Sequence, residues 1–256
     1  MTFVTVESAA DGVRRIGLNR ADKRNALSPN LRGALIEALA AAADDAAVRA
    51  IVIAGNGGHF CAGGDIDSME GQTPQTGRTR MKINHRMVRL LAEFEKPVIA
   101  AVSGYAVGAG AGIALLADTV VMGEGAAIGF PFFRIGLVPD YAILFSLPRR
   151  VGAARARQIL LYARMLKGKD ALDAGLADEM VADDEVEARA VACAEELAAM
   201  PPHAFAIAKR QLGLWPTGLD EALEMEAMAQ AACLTTSESA EGRAAFHEKR
   251  APDFWR

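Results

Sequence analysis

The chain has 256 residues, with 28 Lys and Arg against 32 Asp and Glu and a formal net charge of −4. This mixed, slightly acidic balance argues against nucleic acid or an anionic membrane as a general partner. Three cysteines without CxxC spacing, Cys61, Cys193 and Cys233, provide neither a disulfide framework nor a metal site.

The opening MTFVTVESAADGVRRIGL has no basic flank leading into an apolar run, so no signal peptide is expected, and the apolar stretches beyond it are short and glycine-broken. A cytoplasmic protein is the expectation. Phe3 to Val6 and Val13 to Leu18 alternate as strands about the Asp11-Gly12 turn, predicting a hairpin. Ser28-Pro29 opens a helix to about Ala43, with serine as cap and proline in the first turn. Arg49 to Ala54 reads as a buried strand, followed by an Asn56-Gly57-Gly58 turn. Arg78 to Phe94 reads as a helix with Met81, His85, Val88 and Leu91 on its apolar face. Val98 to Val102 is a strand, Gly110 to Leu116 a helix and Asp118 to Met122 another strand. This alternation predicts an α/β core with parallel pairing.

From Asp140 onward only helices are expected, over Tyr141 to Pro148, Ala153 to Tyr162, Glu185 to Met200, His203 to Leu212, Leu219 to Leu234 and Ser237 to Lys249. Pro201-Pro202 and Trp215-Pro216 punctuate them. The Leu219 to Leu234 helix is apolar around much of its circumference, so it either caps its own core or meets another subunit, and a homo-oligomer is favoured.

Two segments share one layout, a strand followed by small residues and a helix start: IVIAGNGGHFCAGGDI (Ile51 to Ile66) and VIAAVSGYAVGAGAG (Val98 to Gly112). Backbone stripped of side chains at a helix start offers unpaired N–H groups and the positive end of the dipole, which suits a phosphate or a developing oxyanion. Taken singly, each segment reads as close helix–strand packing. The dinucleotide pattern GxGxxG is not matched, and the P-loop Gly-Lys-Ser/Thr is missing.

Taken together, LNRADKRNALS (Leu18 to Ser28), HFCAGGDI (His59 to Ile66), AAVSGYAVGAG, FFRIGLVPD (Phe132 to Asp140) and SAEGRAAFHEKRAPDF (Ser239 to Phe254) resemble the crotonase superfamily, the enoyl-CoA hydratase/isomerase family, across nearly the whole chain in the right order. The resemblance implies an α/β fold with a spiral of ββα repeats over residues 1–195. It also implies a C-terminal helical region, 196–256, that builds trimers or dimers of trimers, and an acyl-CoA thioester as ligand. No cofactor is implied beyond the coenzyme A that the substrate carries. By position, the backbone N–H groups of Gly64 and Ala109 would form the oxyanion hole. Ala109 stands where the family usually has glycine. Lys23 and Arg24 would meet the phosphates of coenzyme A, Ala26 and Ala62 would lie around the adenine, and Lys249 and Arg250 could reach a neighbouring subunit's ligand. Asp65, Ile66, Tyr105 and Phe132 fall on the substrate side, with Asp65 a loop brace rather than a reactive group.

The two glutamates of the family's hydratases fall at Gly112 and Phe132, neither of which transfers protons. A site lined by Phe130, Phe132 and Phe133 holds water poorly, which argues against a conventional hydratase. The remaining acid is Asp140, which resembles the base of family members that shift double bonds. Apolar surroundings would raise its pKa, as suits a group that takes a proton and returns it. Asp140 could instead cap the helix after it, or act as a nucleophile as in the family's dehalogenases. An acyl-CoA-binding homologue without catalysis is a further reading. Asp67 and Glu70 read as solvated residues, His85 as a packed or rim histidine, and His59 and Cys61 form no triad pattern.

Overall fold

The computed structural model describes residues 2–214 and 218–255, so the expected break at Trp215-Pro216 lies outside the described residues. Strands β1 (Val4–Ala10) and β2 (Val13–Leu18) form the expected antiparallel hairpin, and Gly12 at φ +70° makes its turn. Helix α1 (Pro29–Asp44) begins where Ser28 accepts a bond from the Leu31 amide. Next come β3 (Ala50–Gly55), α2 (Pro74–Ala92), β4 (Val98–Val102), β5 (Tyr105–Val107), α3 (Ala109–Leu115), β6 (Thr119–Gly123) and β7 (Ala127–Gly129). Helices α4 (Ile143–Val151) and α5 (Ala153–Leu161) lead to β8 (Met165–Lys167), α6 (Gly168–Asp173), β9 (Glu179–Val181) and α7 (Val186–Ala198). The chain continues through α8 (Pro202–Leu214), α9 (Leu219–Leu234) and α10 (Ser237–Glu248).

A six-stranded sheet runs β1-β2-β3-β4-β6-β9, parallel from β2 onward, and a smaller sheet runs β5-β7-β8. The chain climbs from the large sheet to the small one and then into a helix, as in β4–β5–α3 and β6–β7–α4. Between β3 and α2, an isolated bridge from Cys61 to Ala106 plays the part of the small-sheet strand. This is the ββα spiral that the sequence led us to expect. Because β3 and β4 are buried on both faces, their side chains divide by alternation. Ile51, Ile53, Val98 and Ala100 enter the main core with α1 and α2, while Ala50, Val52, Ile99 and Ala101 pack on Val186, Ala190 and Ala194 of α7.

The expectation of helices alone after Asp140 is corrected by β8 and β9. Three residues are too few to carry a period, and these strands are held by neighbours distant in sequence rather than by local pattern. Helix α2 starts at Pro74, where Thr73 and Thr76 form a reciprocal cap. Its buried face is Asn84, Met87 and Leu91, so Leu91 is buried as expected and Val88 packs on the core, but the face turns one residue toward Asn84 and Met87 and leaves His85 exposed. Among the described residues, no residue of α8 or α9 is fully buried in the single chain, and Leu212, Leu219, Leu223 and Met228 are exposed. Helix α9 therefore does not cap its own core.

Candidate active site

The two glycine segments lie against each other. The Cys61 amide donates to the Tyr105 carbonyl at 2.8 Å, and the Val107 amide donates to the Cys61 carbonyl at 2.9 Å. A Cβ on Gly63 would stand 2.8 Å from the Val107 oxygen and 3.8 Å from the Ala109 nitrogen, and Gly63 has φ +101°. Glycine is required here because one backbone rests on the other. The Leu27 amide donates to Gly63 and the Asp65 amide to Leu27, bracketing Gly64 without using its N–H. Ala109 is the first residue of α3, where amides have no helical partner. Among the described residues, neither the Gly64 nor the Ala109 amide donates a hydrogen bond.

Asp140 is mostly buried, its neighbour Tyr141 lies against Gly112 of α3, and its Oδ1 has no hydrogen-bond partner. Burial pushes its carboxyl up to about 6 against the opposing pull of Arg80, Arg32 and His85. The capping role considered from sequence is not what the structure shows: α4 starts at Ile143, its cap residue is Ala142, and no side chain bonds there. Tyr141 and Ala142 both take left-handed backbone, at φ +51° and +57°. Two consecutive non-glycine residues in that region concentrate strain next to the carboxylate.

Three further residues of this site went unread in the sequence. Arg32 of α1 is 3 % exposed; its Nη2 donates to the Leu27 carbonyl at 3.3 Å, and its Nε has no partner. Arg80 of α2 donates to the Ser68 carbonyl and hydroxyl at 3.0 Å, and its Nη2 lies 3.9 Å from where a Gly64 Cβ would stand. The buried Tyr141 hydroxyl has Arg32 beside it but makes no well-formed hydrogen bond, and burial holds it well above the usual phenol range against the pull of that guanidinium. A signal was present. Arg32 sits in the stripe Leu31, Leu35, Leu39, and Arg80 lies one turn before buried Asn84, so each charge occupies a core-facing helical position.

The other expected residues divide. Phe132 is buried, and its ring would meet a Gly108 Cβ at 3.6 Å, whereas Phe130 is fully buried in the core and Phe133 is exposed. Of the three expected phenylalanines, only Phe132 is thus shown against the second glycine segment. Asp65 is held by Arg20 at 2.8 Å, while Ile66 is exposed. Tyr105 stacks on His59 at 5.1 Å, with the Arg24 guanidinium 5.7 Å from its ring. Lys23 is exposed and 3.5 Å from Asp67. The Ala62 amide is used by the Arg24 carbonyl, and the Ala26 carbonyl accepts from Arg20, which leaves the Ala62 carbonyl and little else of this pair for a ligand. Cys61 is fully buried and its thiol is pushed up to about 12, so it is no nucleophile. Lys249 ends α10 at φ +55°, on a helix that packs against α9. Arg250 is occupied by Glu241 and Glu248. Among the described residues there is no cluster of metal-binding side chains, and no helix is long and apolar enough to cross a membrane.

Comparison with known proteins accords with this geometry. The family described as enoyl-CoA hydratase/isomerase matches residues 8–256. The 1,2-epoxyphenylacetyl-CoA isomerase of Escherichia coli K12 is 32% identical over 248 residues, covering 95% of each chain. The 2,3-dehydroadipyl-CoA hydratase of the same organism is 34% identical over 250 residues, covering 97% of each. The crystal structure of an enoyl-CoA hydratase from Bacillus anthracis superposes with a TM-score of 0.93 at 29% identity, covering 98% of both chains. With its ββα spiral, its paired glycine loops and this match along nearly its whole length, the chain belongs to the enoyl-CoA hydratase/isomerase family of the crotonase superfamily and is an enzyme of acyl-CoA thioesters.

Proposed function

We propose that the enzyme shifts the double bond of an enoyl-CoA between the β,γ and α,β positions. The thioester oxygen would rest against the Gly64 and Ala109 amides, with Asp140 as the proton carrier. Asp140 takes the C2 proton, the C–H electron pair flows into the enolate, and the amides stabilise the charge gathering on oxygen. The same carboxyl returns the proton to C4, so nothing is consumed and no water is needed. The observation that carries this reading is the Asp140 carboxyl, largely buried, unpartnered at Oδ1 and raised to about 6. It is mostly ionised at pH 7 yet more basic than a solvated aspartate.

Hydration is the second reading, favoured by relatives named hydratases. Against it, the position that would supply a glutamate is Gly112, where an added Cβ would meet the Tyr141 Cβ at 2.6 Å. Asp140 as a nucleophile is the third. The exposed apolar side chains of α8 and α9 support a homotrimer, or two trimers paired, and we propose a cytoplasmic enzyme needing no cofactor apart from coenzyme A itself. Ultraviolet absorbance distinguishes the readings. With a 3-enoyl-CoA, conjugation with the carbonyl should appear; with crotonyl-CoA, absorbance should persist. Rapid loss of crotonyl-CoA absorbance would favour hydration, and an ester trapped on Asp140 would favour the nucleophile.

A further inference from the structure

The site holds more positive charge than its known parts require. Arg32 is 3 % exposed, and neither Arg32 nor Arg80 forms an ion pair among the described residues. Buried cations are ordinarily paired, because an unpaired one forfeits hydration without return. Of the carboxylates whose charge Arg80 feels, Asp65 is taken by Arg20, which leaves Asp140 as the carboxylate that both guanidinium groups attract, without a direct ion pair among the described residues. Two more buried polar atoms lie in the same set of residues, on side chains 3 % and 2 % exposed: the Tyr141 hydroxyl, which has Arg32 beside it but no well-formed hydrogen bond, and Asn84 Oδ1, which has no partner. Asn84 lies one turn beyond Arg80 on α2, and rotated about its last torsion it would offer its NH₂ in place of the oxygen.

We propose that Arg80 and Arg32 form an anion subsite beside Asp140, and that the acyl group the enzyme selects carries a second carboxylate at its far end. This rests on the reading of Gly64 and Ala109 as the thioester site. A group lodged beside Arg80 then belongs to the acyl chain, because Arg80 Nη2 flanks Gly64, whose amide is read as holding the thioester oxygen. A carboxylate matches the planar fork of a guanidinium and can accept from the Tyr141 hydroxyl as well. The competing explanation is that both arginines serve the enolate, in which case they would act on every acyl-CoA alike.

Calorimetric binding of hexanoyl-CoA and adipyl-CoA, which differ only in the terminal carboxylate, tests this without relying on turnover; octanoyl-CoA and suberyl-CoA repeat it at a longer reach. The wild-type enzyme should bind one of the carboxylated thioesters about tenfold or more tighter than its neutral counterpart. That ratio should collapse toward one in Arg80→Gln and in Arg32→Met, and Arg80→Lys should keep part of it. Arg80 is only half buried, so its variants keep the test decisive if Arg32→Met fails to fold. A ratio near one in both wild-type pairs, or a preference that survives both neutral substitutions, overturns the subsite and leaves the thioester site standing. Failure of all four thioesters to bind overturns the thioester site and the subsite together.

Discussion

A Cβ placed on Gly112 would stand 2.6 Å from the Cβ of Tyr141 and 3.1 Å from its carbonyl oxygen. The left-handed turn at Tyr141 and Ala142 therefore occupies the space that a side chain on α3 would need. It also sets Asp140 in place just before α4. The missing glutamate and the positioned aspartate are two results of one backbone path. Restoring the acid by Gly112→Glu should not create a hydratase. We expect it to destabilise the fold by about 1–3 kcal/mol, the usual cost of overpacking, and to leave crotonyl-CoA hydration at the wild-type level. A thermal melt and the absorbance assay check both, and brisk hydration by a stably folded variant would contradict this account.

Asp140→Asn keeps the shape of the side chain and removes its proton chemistry. Isomerisation should fall by about 10²–10⁴-fold, while thioester binding by calorimetry persists. In the wild type, the base form is needed for the first proton transfer. The rate at low substrate should therefore rise with pH through about 6 and then level off. A flat profile from pH 5 to 8 would exclude Asp140 as the base.

The same group makes a stability prediction with a definite sign. Its folded pKa of about 6 exceeds that of an ordinary aspartate, so between roughly pH 4 and 6 the folded state holds the extra proton. Stability from this group is fully present below pH 4 and is lost as pH rises through 6. Above pH 7, Asp140→Asn should be more stable than the wild type by about 1–3 kcal/mol, and the advantage should shrink toward pH 4. Urea melts at the two pH values measure it. An equal effect at both would show that burial of the charge is not the cause.

Ala109 offers a way to delete one amide. As the first residue of α3, it occupies the position where proline fits a helix without losing a structural hydrogen bond. Ala109→Pro should cost about 1–3 kcal/mol for fitting a larger ring at a residue 3 % exposed, and should lower turnover by about 10²–10³-fold, as expected for removal of one oxyanion donor. Unchanged kinetics in a folded variant would remove Ala109 from the site.

How far the sequence could be read follows from where each signal lies. The strands β3 and β4 are continuous apolar runs and were legible, as was α1 from its Ser-Pro start. The small sheet was not, because Tyr105–Val107 and Ala127–Gly129 are three residues each and owe their pairing to partners far along the chain. Asp140 could be read as the remaining acid, yet its surroundings could not, since Arg32 and Arg80 come from two helices whose packing no local pattern specifies. The charge in an apolar stripe was the available clue. On α2 the apolar stripe Met81, His85, Val88 and Leu91 points to the core at Leu91 and partly at Val88, but the buried face turns toward Asn84 and Met87, which is the side that carries Arg80.

The loop that carries Gly64 is fixed by Asp65, whose carboxylate meets Arg20 at 2.8 Å while the same guanidinium donates to the Ala26 carbonyl at 3.0 Å. Both side chains are largely buried, so Asp65→Ala strands a cation and should cost about 3–5 kcal/mol. Loss of stability alone would fit a merely structural brace. If Asp65 also aims the Gly64 amide, turnover should fall more than thioester affinity, and Asp65→Asn, which can still accept from Arg20, should recover part of it. The double variant Asp65→Ala with Ala109→Pro decides the matter. Two residues serving one oxyanion act as a unit, so their losses should fall well short of multiplying. Fully multiplicative losses would show that Asp65 supports the fold without positioning the amide.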